Sequence, residues 1–302
     1  SDQPTADRGP PFSCASMKDL VLQGPRLSPE ALGTFKVVCS PRKITMAGRS
    51  ARCVEVADDA ETRKAVRGLA DYWTLDAAFV EPTLKLADFR LLAMDMDSTL
   101  INIESLDEVA ALAGKGAQVA AITEAAMRGE IKDYAASLRQ RVALLAGVDA
   151  ALLQRVLDEK LRLNPGAAAL VAACKAAGLA TLLVTGGFTF FTDRMRERLG
   201  FDHVRANVLG IDGGRLTGTV TGPDGGAILD AQGKADAVRA VCAQLGCATE
   251  RAIAIGDGAN DLKMMALAGL SVAYRAKPVV REQATQSLNH APLDGVLAWF
   301  SA

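Results

Sequence analysis

Apolar and polar positions along the chain change period many times, and each change marks an element. Asp19–Gln23 is a short apolar run suited to a strand, and Ser28–Cys39 reads as a helix with Ser28 as cap and Pro29 at its first position. Lys43–Ala47 and Ala51–Val56 suit two strands joined by a short glycine-containing hairpin. Asp59–Thr74 carries apolar residues at Val66, Leu69 and Tyr72, which predicts a helix, and Asp76–Val80 is a fourth strand. After a connector at Glu81–Asp88, Phe89–Met94 is an apolar run of the kind a fully buried strand shows. A largely helical stretch follows from Ser105 to about Arg162, broken near Gly129 and Gly147. Alternation then resumes: helix Ala167–Ala177 closed by Gly178, strand Ala180–Val184, helix Phe188–Leu199 closed by Gly200, and short strands within His203–Thr221. Helix Lys234–Gln244, strand Ala252–Ile255, helix Asp261–Leu267 and strand Leu270–Ala273 complete the pattern.

This order predicts two domains, as 302 residues also suggest. Residues 1–17, rich in Pro, Ser and Gly, read as a disordered leader. Residues 18–82 have the βαββαβ order of a small α+β ferredoxin-like domain. Residues 83–302 alternate strands and helices, which implies an α/β fold with a parallel sheet covered on both faces. The all-helical stretch at about 105–162 then lies outside the sheet, as a cap over its carboxyl end.

Composition narrows the function classes. A formal net charge of −1 leaves no electrostatic footprint for nucleic acid or an anionic membrane. No apolar stretch approaches the length of a spanning helix, and no secretory signal is visible. Six cysteines contain no C-x-x-C pair, so buried free thiols in a reducing cytoplasm are the expectation. With two histidines in the chain, a mechanism built on a histidine cluster is disfavoured.

The chemistry concentrates where strands end. Asp95 and Asp97 close the run Leu91–Met94, and two carboxylates so close repel unless a cation or a proton sits between them. Ser98 and Thr99 add hydroxyls beside them. Thr185-Gly186-Gly187 follows the next buried strand and lets backbone N–H groups approach an anion. Lys234 sits in the first turn of its helix, against the macrodipole, and so is a candidate for pairing with an anion. Gly256-Asp257-Gly258-Ala259-Asn260-Asp261 brings two more acids to a strand end. Each piece alone is commonplace. All four in one alternating domain point to a metal-assisted phosphoryl site at the carboxyl end of a parallel sheet.

In that order, the four pieces also match D-x-D-x-T, a hydroxyl before Gly, a lysine, and G-D-x-x-x-D. Residues 88–302 thus resemble the haloacid dehalogenase (HAD) superfamily, whose HAD-like Rossmannoid sheet carries its cap after the first strand. Within it, the stretches Asp95–Glu108, Ser137–Val142, Val184–Phe188 and Gly256–Leu262 are most similar to the phosphoserine phosphatase family. The resemblance implies that Asp95 is the nucleophile and Asp97 the general acid and base, with Lys234 offsetting charge beside Asp95. It implies Mg2+ held by Asp95, the backbone carbonyl of Asp97 and Asp257, with Asp261 and Asn260 in support. Ser98, Thr185, Gly186 and Lys234 would hold the phosphoryl oxygens.

Glu104 suits a substrate ammonium, Arg141 a carboxylate, and Met127 is expected to line the pocket. Arg139, two residues from Arg141, is expected to face solvent. The chain departs from the family's spacing by one extra residue between Met127 and Ser137, the stretch holding Tyr134, the candidate for the cap's aromatic position.

The expectation is therefore a cytoplasmic, Mg2+-dependent phosphatase acting on O-phosphoserine, the last step of serine biosynthesis. The rival within enzymes is a related phosphatase or phosphotransferase acting on another small phosphomonoester. A further reading makes residues 18–82, an ACT-like module, an amino-acid sensor, and a homodimer is compatible with a domain of that type.

Overall fold

Leu20 and Leu22 on strand β1 (Ser16–Gln23) are wholly buried, and the first unit is organised around them. The computed structural model describes residues 16–128 and 130–301, which divide into two compact units between Pro82 and Thr83. The leader expected at 1–17 falls mostly outside the described residues, and at its end the expectation is corrected: Ser16 and Met17 pair with Asp58 and Ala57 as part of β1.

Helix α1 (Pro29–Cys39) starts where Ser28 Oγ accepts from Ala31 N, with Pro29 at N1. Strands β2 (Lys43–Ala47) and β3 (Ser50–Asp58) form a hairpin, and α2 (Ala60–Trp73) is capped by Asp59, which accepts from Thr62 N. With β4 (Asp76–Val80) the sheet order is β2-β3-β1-β4, every pair antiparallel, the ferredoxin-like arrangement. Phe35, Cys53, Val66 and Phe79 fill the core around the two leucines.

One position in α2 departs from the expected apolar face. Tyr72 is 74% exposed, whereas Trp73 is half-buried and its Nε1 donates to Thr34 Oγ1 at 3.1 Å. At about 100° per residue, Val66, Ala70 and Trp73 share one helix face and Tyr72 falls off it.

The second unit is built on β5 (Leu91–Met94), four residues with no exposed surface. Its cap comprises α3 (Ser105–Leu112), α4 (Gly116–Met127), α5 (Tyr134–Ala143) and the short α6 (Ala151–Arg155). The chain leaves and re-enters the sheet domain at adjacent points. Asn102 N donates to Arg162 O at 3.0 Å, Asn164 N to Leu100 O at 2.9 Å, and the buried Asn164 amide also reaches the Thr99 and Ile101 carbonyls.

Beyond the cap come α7 (Ala167–Ala176), β6 (Ala180–Phe188), α8 (Thr189–Leu199), β7 (His203–Asp212), β8 (Arg215–Thr221) and α9 (Ala231–Gln244). β9 (Ala252–Gly256), α10 (Leu262–Met265), β10 (Leu270–Tyr274), α11 (Pro278–Gln283) and β11 (Gln286–Leu288) finish the fold. The sheet order is β11-β10-β9-β5-β6-β7-β8, parallel from β11 to β7 and antiparallel only at the β7/β8 edge. β5 lies between β6 and β9, so the carboxyl ends of three neighbouring strands meet. Leu91 and Ala93 pack with Leu182, Val238 and Ala254 on one face, which holds those ends in register. Cys39, Cys53, Cys174 and Cys242 are buried free thiols, and Cys14 lies outside the described residues. No helix among the described residues is long and apolar enough to cross a membrane.

Candidate active site

Where β5 ends, the chain turns through Met96–Leu100, with Ser98 at φ 57° and its N–H donating to Ile103 O at 3.0 Å. A serine in the left-handed region is a strained conformation, and it permits the tight turn that presents Asp95 and Asp97. Asp95 is 5% exposed, and its Oδ1 accepts from Met96 N and from Lys234 Nζ, both at 2.8 Å. Its Oδ2 has no hydrogen bond among the described residues.

Lys234 reaches Asp95 from α9, whose cap Asp230 accepts from Gly233 N. It is 1% exposed and also donates to Asp261 Oδ1 at 2.7 Å. Burial works against its charge, but Asp261 and Asp95 outweigh that and hold its pKa above the ordinary lysine value.

Asp257, at the end of β9, receives Thr99 Oγ1 at 2.8 Å. Carboxylate oxygens of Asp95, Asp257 and Asp261 lie within 4.8 Å of one another. Burial, then the charges of Asp95 and Asp261, push Asp257 up to about 7; burial, then Asp95, push Asp261 to about 6. Both oxygens of Asp261 are already engaged, Oδ1 by Lys234 and Oδ2 by the N–H groups of Asp257 and Gly258. Asp261 therefore braces the loop, while Asp95 and Asp257 each keep an oxygen free for a cation. A cluster of hard oxygen donors with a single buried lysine fits a divalent ion such as Mg2+.

Asp97 differs. Its Oδ2 accepts from Ser105 Oγ at 3.0 Å, but its Oδ1 is buried with no partner. Burial, then the charges of Glu104 and Asp95, raise its pKa well above the usual carboxylate range.

A pocket of about 470 Å3 opens over these groups. Of the residues expected from the sequence, Asp95, Asp97, Ser98, Glu104, Arg141, Thr185, Gly186, Asp257 and Asn260 line it. Lys234 lies beneath the floor, bound to Asp95. Met127 does not line the pocket: it is 69% exposed at the end of α4. Thr123 is the α4 residue in the lining, and one further turn of about 6 Å carries Met127 past it. Arg139 is exposed.

Glu104 accepts from Ser98 Oγ at 2.6 Å, and its surroundings raise its pKa mainly by desolvation. Arg141, in the last turn of α5, has a buried Nε with no partner. An unpaired guanidinium edge and a carboxylate in one pocket suit a zwitterion.

Tyr134, the candidate for the cap's aromatic position, reaches the pocket, and two further residues, Asn207 and Lys277, had no place in the sequence expectations. Tyr134 lines the pocket and covers Gly186 so closely that any Cβ at Gly186 would collide with its hydroxyl. Asn207, fully buried in β7, donates to Gly186 O and accepts from Leu229 N, both at 2.8 Å, tying the Thr185–Gly187 segment to the approach of α9. A lone asparagine in a strand gives no sequence signal of such a role. The other is Lys277, which lines the pocket from the β10/α11 turn.

Residues 92–266 match the family model for haloacid dehalogenase-like hydrolases. A phosphoserine phosphatase of Polaromonas sp. is 61% identical over 216 residues, 72% of this chain and 92% of that protein. The crystal structure of a HAD-family hydrolase from Salmonella enterica serovar Typhi superposes with a TM-score of 0.84 at 30% identity, covering 94% of this chain and 98% of that one. A phosphoserine phosphatase solved as a phospho-aspartyl intermediate analogue superposes with a TM-score of 0.64 at 32% identity, covering 70% of this chain and 99% of that one.

Proposed function

The chain belongs to the haloacid dehalogenase-like hydrolases and, within them, to the phosphoserine phosphatase family, and from that premise we propose that it hydrolyses O-phosphoserine to serine and phosphate, the closing reaction of serine biosynthesis. The observation that carries the reading is one pocket holding both a lysine-paired aspartate floor and a wall with the carboxylate of Glu104 and the partnerless guanidinium edge of Arg141.

One carboxylate oxygen of Asp95 attacks phosphorus while the seryl oxygen leaves, giving an aspartyl-phosphate. Asp97 enters this step protonated, as its burial among other acids favours, and gives that proton to the departing serine. Its carboxylate then takes a proton from the water that attacks the aspartyl-phosphate, which releases phosphate and regenerates Asp95. Ser98, the Thr185 hydroxyl, Gly186, Asn260 and Lys234 steady the phosphoryl oxygens. Asp95, Asp257 and the Asp97 carbonyl would hold Mg2+, which supplies charge neutralisation at the phosphoryl group. Glu104 binds the substrate ammonium and Arg141 its carboxylate, and the fixed Tyr134 ring closes one wall.

Substitution of the recognition residue tests the substrate class. Arg141→Ala should raise KM for O-phosphoserine by about 100-fold, a loss of about 2–3 kcal/mol. KM for an aryl phosphate, which has no carboxylate, should change less than threefold. Equal losses on both substrates would mean that the pocket does not recognise an amino acid and that another small phosphomonoester is the substrate.

A further inference from the structure

A phosphomonoester carries close to two negative charges at neutral pH, yet the pocket that must admit it is lined by more carboxylates than cations. Its lining holds two cationic side chains, Arg141 and Lys277. Lys234 does not draw an anion in from solvent, because it lies 1% exposed below Asp95 with its ammonium bound to Asp95 and Asp261, and it acts only on a phosphoryl group already seated at Asp95. Arg141 stands on the cap. Lys277 comes from the other part of the unit, the turn after β10, the strand beside the one that ends in Asp257. It is exposed, and its ammonium makes no ion pair or hydrogen bond among the described residues.

The backbone of this turn is held firmly. Arg275 N donates to Leu288 O at 2.9 Å, and Lys277 O accepts from Val280 N and Arg281 N at 3.0 and 3.1 Å. Pro278 fixes the first helical position of α11. Arg275 itself adopts φ 46°, a left-handed conformation unusual for a side chain of that size, and it is this reversal that leads from β10 to Lys277 at the pocket. The surrounding structure maintains a strained turn whose outcome is a free ammonium at the edge of an acidic cavity.

We propose that Lys277 is a specificity-determining cation for the phosphoryl end of the substrate: it draws the dianion past the pocket's carboxylates and pairs with it in the bound complex. This deepens the phosphatase reading and rests on it. The group recognised is the phosphoryl dianion rather than the amino-acid portion, so the effect extends to any phosphomonoester the enzyme turns over.

The test compares wild type with Lys277→Ala, Lys277→Arg and Lys277→Glu on O-phosphoserine and on p-nitrophenyl phosphate, each at low and high ionic strength. At low salt Lys277→Ala should lower kcat/KM by roughly 3- to 10-fold with kcat nearly unchanged, and Lys277→Glu should lower it further. Lys277→Arg should restore it, the loss should match on both esters, and the gap should close as salt is raised toward about 1 M. Equal kcat/KM in all four proteins at low salt would overturn the proposal. So would a loss that neither salt nor arginine changes, which marks a structural role, or a loss confined to O-phosphoserine, which marks carboxylate recognition. If wild type turns over neither ester, the phosphatase reading itself fails, and that result is distinct from the others.

Discussion

Asp58 in the first unit and Asp257 in the second are carboxylates that the fold treats in opposite ways. Asp58 is met by Lys18 at 3.1 Å and by Arg63, and these cations outweigh the cost of burial and hold its pKa below the usual value. Asp257 has a threonine hydroxyl on one oxygen and two other acids within reach, and its pKa rises to about 7. A carboxylate that serves the fold receives its cations from the chain. Those at the end of the parallel sheet share one buried lysine and are left short of positive charge. That shortage marks a site that completes itself with a cation from outside the chain, and such a contrast separates a functional acid cluster from an ordinary surface network.

The contrast is broken most severely at the nucleophile. Asp95→Asn keeps the shape and an oxygen for the Met96 N–H, but removes the charge that forms the new bond to phosphorus. Steady-state turnover should fall at least roughly 1,000-fold while the circular dichroism spectrum stays unchanged. Residual turnover within tenfold of wild type would refute the covalent route. Removal of metal comes next. EDTA should abolish activity, and saturating Mg2+ should restore it and raise Tm by roughly 5 °C, since a ligand at 100 times its Kd adds about 2.7 kcal/mol. Full activity after exhaustive chelation would show that the acid cluster has been misread.

The pH dependence of stability then tests the sign of the difference. Asp257 has a folded pKa near 7 against about 3.9 unfolded, so the metal-free folded state binds the extra proton between those values. Its contribution is favourable below pH 4 and is lost as pH climbs to about 7. Urea denaturation of metal-free protein should show the second unit weakening over that window, and Mg2+ should flatten the slope. Asp257→Asn retains an oxygen for Thr99 and removes one repelling charge. It should stabilise the metal-free protein at pH 8 by about 1–3 kcal/mol, while activity collapses. A metal-free wild type whose stability does not change from pH 4 to pH 7 would remove the argument that these acids repel.

Much of this was legible in the sequence because an apolar run ending in acids or glycines marks the end of a buried strand. The Asp95–Thr99, Thr185–Gly187 and Asp257–Asp261 segments come together for that reason. The limits are as instructive. β6 continues through Gly186 and Gly187 to Phe188, four residues beyond the expected end, because Asn207 anchors the Gly186 carbonyl across the sheet. α9 begins three residues before Lys234, and the signal was present in Asp230, an N-cap that accepts from Gly233. Tyr72 was misplaced by one step around a helix and Met127 by one turn along one, the scale at which apolar character alone loses resolution. Tyr134 and Lys277 reach the pocket through cap packing and a three-residue turn, and neither leaves a periodic trace.

The mildest test lies in the first unit, where the sign should reverse. Asp58 is held below its unfolded pKa by Arg63 and Lys18, so its contribution is present above about pH 4 and disappears as pH falls through the lowered folded value. Arg63 also stacks on the Phe79 ring, 4.7 Å from its centroid, so loss of the carboxylate frees a cation that still has a partner. Asp58→Asn should therefore cost only about 1 kcal/mol at pH 7 and progressively less as pH falls below about 4, with the melts of wild type and variant converging as acid is added. Activity on O-phosphoserine should remain at the wild-type level, because the substitution changes no group of the catalytic pocket. If instead the variant were more stable than wild type at pH 7, Asp58 would resemble Asp257, and the distinction between carboxylates paired for folding and carboxylates left short of charge for catalysis would lose its physical basis.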